Sequence, residues 1–341
     1  ALLFMVFSMS RGSHRRSYSE LRYLIAESLQ GCAGFGDVEV SGKIRRIDEG
    51  IWHDNFYFWI EGRGLPAERA QHPLILRLLE RRYDWQHGTE PRDRLIREAK
   101  TLQALQDTVF PYPTPEFICF VEDDSREPIG MIETVVPGES LDRYKDRTTL
   151  KLVARVTAAV HGLSAELFPH LPAAEDRSQY VTRELNKLGE ELFGEFPQAS
   201  EVREWIRAHL PSADPNCVLH GDLLPQNLLS DWREPDRENA SISVIDWEMA
   251  QIGDPAYDLA IVSRGNRKVL GVNNGLKLLV EEYLQAGGKQ IALRDVHVHE
   301  LLLVLHWIEE AWKEYQKPAP SGHGPDFYLD KLRSLFRRVT G

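Results

Sequence analysis

Cysteine is scarce in this chain. Three cysteines, Cys32, Cys119 and Cys217, are spread over 341 residues. An odd number of widely separated thiols suits neither a disulfide framework nor a zinc site. Such a distribution is typical of a reducing compartment, so we expect a cytoplasmic protein.

Long hydrophobic runs are also missing. The apolar segment at residues 1–8 is far too short to span a bilayer, and it has neither a basic leader nor a clear small-residue cleavage site. We therefore expect no membrane partner. We expect residues 1–17 to be disordered, or not native to the protein, and we leave them out of the fold.

Positive charge is in deficit. The chain has 41 lysines and arginines against 52 acidic residues, for a net charge of −11. This balance argues against nucleic acid as a partner and mildly favours a cationic substrate. The hydrophobic content of 42% is ordinary for a globular protein, and the length suggests about two domains or lobes.

The residues that suggest chemistry are concentrated between positions 216 and 258. A short apolar run breaks at the sequence HGD, residues 220–222, and Asn227 follows five positions after Asp222. A second, β-branched run ends on Asp246. The pattern indicates two strands, each of which carries a carboxylate out of a sheet where the backbone turns.

These residue types fit phosphoryl transfer, in which catalysis consists mostly of positioning and of neutralising phosphate charge, with Mg²⁺ bridging phosphate oxygens. The carboxylate of Asp246 and the amide oxygen of Asn227 are hard ligands of the kind Mg²⁺ prefers. Asp222 is then free to accept the proton of an attacking hydroxyl. A single aspartate at a strand end is usually a turn or cap residue, but this ordered set rarely arises by chance.

The ordered set resembles the catalytic and metal-binding loops of the aminoglycoside phosphotransferase family, a branch of the protein-kinase-like fold. The resemblance covers roughly residues 20–335. It implies an α+β fold with two lobes: a nucleotide-binding lobe built on a small β-sheet at residues 18–136, and a mainly helical lobe at residues 137–341 that holds the catalytic residues and the acceptor.

The resemblance also implies ATP and Mg²⁺ as cofactors and a small-molecule hydroxyl as acceptor. An antibiotic of the aminoglycoside or macrolide type is the favoured acceptor. A metabolite kinase acting on a choline-, sugar- or homoserine-like alcohol is the alternative among enzymes. A pseudokinase-like nucleotide-binding module without catalysis is the alternative from another class. We expect a monomer or a homodimer.

Arg77 lies in the third predicted strand, residues 74–79, between apolar neighbours. Burying an unpaired cation there would be costly. By resemblance, Arg77 contacts the nucleotide phosphates and pairs with Glu98 of the following helix, since a guanidinium can bond both groups bidentately. The alternatives are an edge-strand arginine that faces water and a solvated helix glutamate.

The resemblance assigns two further stretches to nucleotide binding. The first hairpin turn of the family covers the phosphates, which implies contacts at His53 and Asn55. Family turns are rich in glycine and serine, whereas this turn has only Gly50, so a plain hairpin turn is an equal alternative. In the hinge, the resemblance implies that the Glu133 carbonyl and the Val135 N–H bind adenine.

Three residues are expected to support the site. His220 begins the catalytic loop. Asp258 anchors that loop, by resemblance, through bonds to its backbone. Asp254 caps a helix in which Pro255 takes the first position.

The second lobe is expected to be helical at residues 148–167, 180–193 and 200–210, and again from about residue 293. The last of these helices carries Glu309, Glu310 and Trp312, and in the family such helices frame the acceptor pocket. The glutamates could bind ammonium groups, and the tryptophan could stack on a ring. A buried tryptophan with glutamates on a wet helix face is the favoured alternative.

Overall fold

The computed structural model describes residues 16–32, 34–47, 53–63, 65, 71–79, 91–231, 240–317 and 322–341. The helices are α1 (Tyr18–Gln30), α2 (Pro91–Gln106), α3 (Arg147–His161), α4 (Arg177–Asn186), α5 (Glu190–Glu195), α6 (Pro197–Ala208), α7 (Ala256–Ser263), α8 (Gly275–Gln285), α9 (Leu293–Tyr315) and α10 (Pro325–Thr340). The strands are β1 (Val38–Ile47), β2 (His53–Gly62), β3 (Leu74–Leu79), β4 (Phe117–Glu122), β5 (Pro128–Thr134), β6 (Glu139–Ser140), β7 (Cys217–Leu219), β8 (Leu228–Ser230), β9 (Ile242–Val244) and β10 (Gln251–Gly253).

The predicted disorder of residues 1–15 and the glycine-poor turn at Gly50 lie outside the described residues. Ser17, which the sequence assigned to the disordered segment, instead caps α1. It forms a capping box with Glu20, in which each side chain bonds the backbone N–H of the other residue.

The first lobe is a five-stranded antiparallel sheet with strand order β1-β2-β3-β5-β4. β3 therefore lies at the centre, hydrogen-bonded to β2 on one side and β5 on the other. Leu74 and Leu76 lie on one face of the strand and Arg77 on the other, and all three side chains are buried, so both faces of β3 are covered. A central position excludes the edge-strand alternative for Arg77.

Helix α2 connects the two lobes. Its apolar stripe repeats at helical spacing, at Leu95, Ala99, Leu102 and Leu105, and all four side chains are buried. They belong to the main hydrophobic core of the second lobe, whereas the opposite face of the sheet packs with α1 in a separate core. The helix that follows β3 thus packs against both the sheet and the second lobe.

The second lobe is mainly helical, as the sequence predicted, but two predicted helices are too long. The first ends at His161, with Gly162 as its C-terminal cap, and Leu167 belongs to a separate 3₁₀ turn. The predicted helix at 180–193 is two helices, α4 and α5, separated by a turn at residues 187–189.

Short strands in the second lobe position the loops of the site. β7 pairs with β10, and β8 pairs with both β6 and β9. The loops after β7 and β9 therefore leave neighbouring sheets at the same end of the lobe. Among the residues that the structure describes, no helix combines the length and the apolar composition needed to cross a bilayer.

Candidate active site

The loop after β7 begins with His220 and requires glycine at the next position. Gly221 has φ +84°, and a Cβ there would overlap the carbonyl oxygen of Met249. The His220 ring is buried, with Nε2 3.1 Å from the carbonyl oxygen of Ile245 and Nδ1 accepting the N–H of Asp222 at 3.3 Å. Burial lowers the pKa of His220, so the ring supports the loop in its neutral form.

Asp258 anchors the same loop through hydrogen bonds to its backbone. Its two carboxylate oxygens accept the N–H groups of His220 and Gly221, both at 2.9 Å, and His161 Nε2 lies 3.2 Å from one of them. Burial alone would raise the pKa of Asp258, but these hydrogen bonds and the nearby histidines hold it below its usual value. The carboxylate is therefore a fixed, charged support.

Asp222 is half-buried and held by Asn227. The amide nitrogen of Asn227 donates to Asp222 Oδ2 at 3.0 Å and to the Asp222 carbonyl at 2.8 Å. Burial and the neighbouring charge of Asp246 raise the pKa of Asp222 to about 6. Because the amide nitrogen is used in this way, the amide oxygen of Asn227 is the atom left for a metal ion.

Asp246 follows β9 in a left-handed conformation, with φ +69°. Aspartate tolerates this region better than most residues, and such strain is concentrated at functional sites. The preceding Ile245 N–H bonds the carbonyl of Asn227 at 3.0 Å, so the two loops are directly joined. The structure thus brings Asp222, Asn227 and Asp246 together at one edge of the lobe.

Arg77 lies at the centre of a buried cluster of carboxylates. Nη1 donates to Glu98 at 2.7 Å, and Nη2 donates to Asp246 at 3.2 Å. Glu133 and Glu248 approach the guanidinium at 3.8 and 3.9 Å. Glu248, two residues after Asp246, is only 3% exposed.

The guanidinium of Arg77 faces four carboxylates, and the charge of Arg94 also acts on Glu248. Burial raises the pKa of Glu98, and it raises the pKa values of Glu133 and Glu248 to about 7. Carboxylate oxygens of Glu98, Asp246 and Glu248 lie within 4.8 Å of one another, and Glu98 Oε2 has no hydrogen-bond partner. Surplus negative charge on hard oxygen donors suits Mg²⁺, so these residues fit a divalent ion.

A sequence model of the phosphotransferase enzyme family matches residues 43–313. The chain belongs to that family. The match includes the loops described above, and it confirms the family that the sequence resemblance predicted.

Two curated relatives match about half of the chain. Viomycin phosphotransferase from Streptomyces vinaceus is 30% identical over 185 residues, which is 50% of this chain and 62% of the relative. Acyl-CoA dehydrogenase family member 10 from Mus musculus is 23% identical over 178 residues, 48% of this chain and 16% of the relative. The chain spans less than two thirds of the length of either relative.

Solved structures confirm the two-lobed kinase-like fold. The macrolide 2'-phosphotransferase of Brachybacterium faecium has a TM-score of 0.61 at 16% identity, covering 95% of this phosphotransferase and 97% of its own chain. A choline/ethanolamine kinase family protein from Mesorhizobium loti has a TM-score of 0.57 at 18% identity, with 94% and 92% coverage. At these identities the likeness concerns the fold alone.

The residues predicted to contact the nucleotide line one face of the first lobe. Asn55 pairs with Arg77 across β2 and β3, so their side chains share a face, and Asn55 Oδ1 is buried with no partner among the described residues. The backbone of His53 pairs with Leu79 two positions from this pair. Asp54 forms an ion pair with Arg46, which neutralises the Asp54 carboxylate.

The predicted hinge lies at the end of β5. Glu133 pairs with Ile75 in the sheet, and its side chain turns toward Arg77, as described above. Val135 follows the strand and is half-buried. Adenine binding by these two backbone groups stays a prediction.

A second buried ionic network, which the sequence analysis missed, holds Asp254. Arg177 Nε and the Ala256 N–H bond Asp254 Oδ1 at 2.8 and 3.0 Å, and His299 Nε2 lies 3.0 Å from Oδ2. A further nitrogen of Arg177 bonds Asp295 at 2.8 Å. Arg177 sits on an amphipathic helix like many solvated arginines, so only its 3% exposure distinguishes it.

The three residues predicted for the acceptor pocket have different surroundings. Glu309 is buried, accepts the Gly189 N–H at 2.7 Å and lies 3.1 Å from Lys313 Nζ. Its carboxylate therefore has partners within the protein and needs no substrate to satisfy it. Glu310 is exposed. Trp312 packs edge-on against Phe196, with ring centroids 6.1 Å apart. Acceptor contacts by Glu310 and Trp312 stay predictions.

Proposed function

We propose that this phosphotransferase moves the terminal phosphoryl group of ATP to a hydroxyl of a small molecule in the cleft between the lobes. The observation that carries the proposal is the position of Asp222. Its half-buried carboxylate lies on a loop fixed by Asp258, and that loop is joined to the one that carries Asp246.

In this reaction, Asp222 orients the acceptor hydroxyl and takes its proton, while a new P–O bond forms and the bond to the leaving ADP breaks. Arg77 binds phosphate oxygens, and Glu98 holds the guanidinium in place. Asn227 and Asp246 would hold Mg²⁺, with Glu248 close by. When bound, the ion neutralises charge on the phosphate oxygens.

Asn55 is a further candidate for a contact with the nucleotide. Its carbonyl oxygen is buried without a partner on the face that Arg77 shares. An orphaned buried polar atom in a cleft is commonly satisfied by a ligand or by water.

The acceptor class is the open part of the proposal. The antibiotic acceptor favoured from the sequence is one candidate, and the names of the macrolide phosphotransferase and of viomycin phosphotransferase agree with it. The choline/ethanolamine kinase neighbour agrees with a metabolite alcohol instead. One solved structure of similar fold is a complex with GDP and kanamycin, so GTP is a phosphoryl donor to compare with ATP.

We also propose that the boundary between the lobes lies at residues 136–137 and that the protein is cytoplasmic. At Gly138 the chain adopts φ +129°, and a Cβ there would lie 2.8 Å from the backbone nitrogen of Ser230. The backbone therefore lies directly against β8 just after the proposed boundary.

The test follows nucleoside diphosphate release from Mg·ATP and Mg·GTP with a panel of antibiotics and metabolite alcohols. Asp222→Asn removes the proton acceptor but keeps the size of the side chain, so we expect kcat to fall by about 10²- to 10⁴-fold. Asp107→Asn, at the exposed end of α2, is the matched control and should leave kcat unchanged. Tight nucleotide binding with no acceptor consumed would favour the non-catalytic binding module.

A further inference from the structure

Arg264 directly follows α7. Among the residues that the structure describes, its buried Nε has no hydrogen-bond partner, and no ion pair or side-chain hydrogen bond of the guanidinium is found. Buried donors are normally satisfied, so an unsatisfied one points to a ligand or a bound water.

Two other cations surround the same turn. Arg338 donates to the carbonyl of Gly265 at 3.2 Å. A Cβ on Gly265 would lie 3.5 Å from Cε of Lys331, so the Lys331 side chain packs directly over the turn. The Lys331 ammonium lies 5.1 Å from the ring centroid of Trp307, which fixes its position.

The carboxylate of Glu300, beside this cluster, already has several partners. Glu300 is fully buried, accepts the hydroxyl of Ser263, and lies 2.7 Å from His297 Nδ1 and 3.9 Å from Arg338. One carboxylate shared among these groups leaves Arg264 and Lys331 unneutralised. Burial, together with the charge of Arg264, lowers the pKa of Lys331, as expected where like charges crowd.

The cationic turn directly follows α7, the helix whose Asp258 accepts the Gly221 N–H in the loop of the proposed proton acceptor. Burial and Asp246 raise the pKa of Asp222, and the charge of Arg264 opposes them, which agrees with this placement. Trp307 and Tyr328, with ring centroids 6.1 Å apart, add an aromatic surface next to Lys331. An acceptor at Asp222 therefore has the positive charge of Arg264 within electrostatic range.

We propose that the acceptor carries an anionic group, a carboxylate or a phosphate ester, which Arg264 binds while Asp222 takes the hydroxyl proton. This inference rests on the proposed function. A guanidinium binds either anion in a bidentate manner, and Lys331 adds a second charge. A polycationic aminoglycoside would place ammonium groups against these cations, which disfavours it even though the net charge of the whole chain is negative.

The experiment uses matched acceptor pairs that differ in one charge: gluconate with gluconamide, and glycerol 3-phosphate with glycerol. Kanamycin and choline form the cationic arm. Binding is measured by calorimetry in the presence of a non-hydrolysable ATP analogue, and kcat/KM is measured by ADP release. We expect the anionic member of at least one pair to bind more tightly, and the pair shows whether a carboxylate or a phosphate ester is preferred.

Arg264→Gln should weaken binding of that anion by about 10- to 100-fold, as expected for a lost charged hydrogen bond, and leave its neutral partner unchanged. Arg267→Gln removes the same charge three residues away at an exposed position and should change neither. Arg264→Lys should recover part of the affinity. Since the guanidinium has no partner among the described residues, Arg264→Gln should also leave Tm unchanged, which checks folding.

Three outcomes would overturn the inference. The first is that no anion binds more tightly than its neutral partner. The second is a preference for kanamycin or choline that Arg264→Gln does not reduce. The third is an equal loss of kcat for anionic and neutral acceptors, which would place Arg264 on the transferred phosphoryl group. Binding of an anion that depends on Arg264, without any turnover, would support the anion site and refute the proposed function.

Discussion

Two buried ionic clusters of this chain are centred on arginines, and they differ in how well their charges are matched. Around Arg177, the carboxylates of Asp254 and Asp295 bond the guanidinium directly, and His299 bonds the other oxygen of Asp254. Around Arg77, four carboxylates approach the guanidinium, and among the described residues one oxygen each of Glu98 and Glu133 has no hydrogen-bond partner.

The pKa shifts express the same difference. Although burial raises it, the pKa of Asp254 is held below its usual value by His299 and Arg177, whereas burial raises the pKa values of Glu98 and Glu133 without enough compensation. A matched cluster stabilises the fold by itself. An unmatched one keeps surplus charge, which a cation and a phosphate can use.

The largest effect should follow from removing a charge from the unmatched cluster. Asp246→Asn keeps a side chain that tolerates the left-handed backbone but loses the anionic metal ligand. We expect turnover to fall on the order of a thousandfold, because several kcal/mol of charge stabilisation are lost. Tm should not fall, since the variant relieves repulsion. A large drop in Tm would mean that Asp246 acts in the fold.

The matched cluster should show the opposite behaviour. Arg177→Met leaves Asp254 and Asp295 buried without their cation, so we expect about 3 to 5 kcal/mol of lost stability. Urea unfolding measures it, and Arg333→Met, at an exposed arginine, is the control. Turnover per folded molecule should change much less than in Asp246→Asn. A loss in turnover with full stability would contradict the comparison.

Acid should weaken the matched network. The pKa values of Asp254 and Asp258 are lowered in the folded state, so the stability that they contribute is complete above the ordinary carboxyl pKa and is lost as pH falls. Urea unfolding between about pH 5 and pH 3 should show a decreasing free energy of unfolding. Asp254→Asn should flatten this dependence, whereas the exposed Asp107→Asn should preserve it.

The smallest effect concerns Glu133, and its sign is opposite. Its folded-state pKa of about 7 lies above the unfolded value, so its charge destabilises the fold increasingly as pH rises from about 4.5 through 7. Glu133→Gln should therefore stabilise the protein by about 1 kcal/mol at pH 8 and by less at pH 6. Equal effects at the two pH values, in thermal melts without metal, would show that Glu133 is not ionised there.

The sequence predicted the sheet strands and the ordered loop residues because local patterns determine them. An apolar run indicated β3, and the spacing of Asp222, Asn227 and Asp246 indicated the proposed site. The end of α3 was missed because apolar spacing continues beyond Gly162. The break before α5 depends on a bond from the Gly189 N–H to Glu309, 120 residues away, which no local pattern contains.

The charge of buried residues was the least predictable part. Glu248 and Arg177 look like solvated residues in the sequence, and only tertiary packing shows that each is 3% exposed. Arg264 gave no signal at all, since nothing in its neighbours distinguishes it from a surface arginine. The Ser17–Glu20 capping box, in contrast, was present as a readable S-x-x-E pattern.

The packing of α2 has a consequence for how the cleft works. Glu98 accepts the backbone N–H of Trp247 in the second lobe, and its helix packs there through Leu95 and Leu102, while Arg77 belongs to the sheet. A rotation of the sheet against the larger lobe would part the two side chains. Their ion pair therefore forms only when the sheet and the larger lobe are oriented so that Arg77 faces the carboxylates of the second lobe.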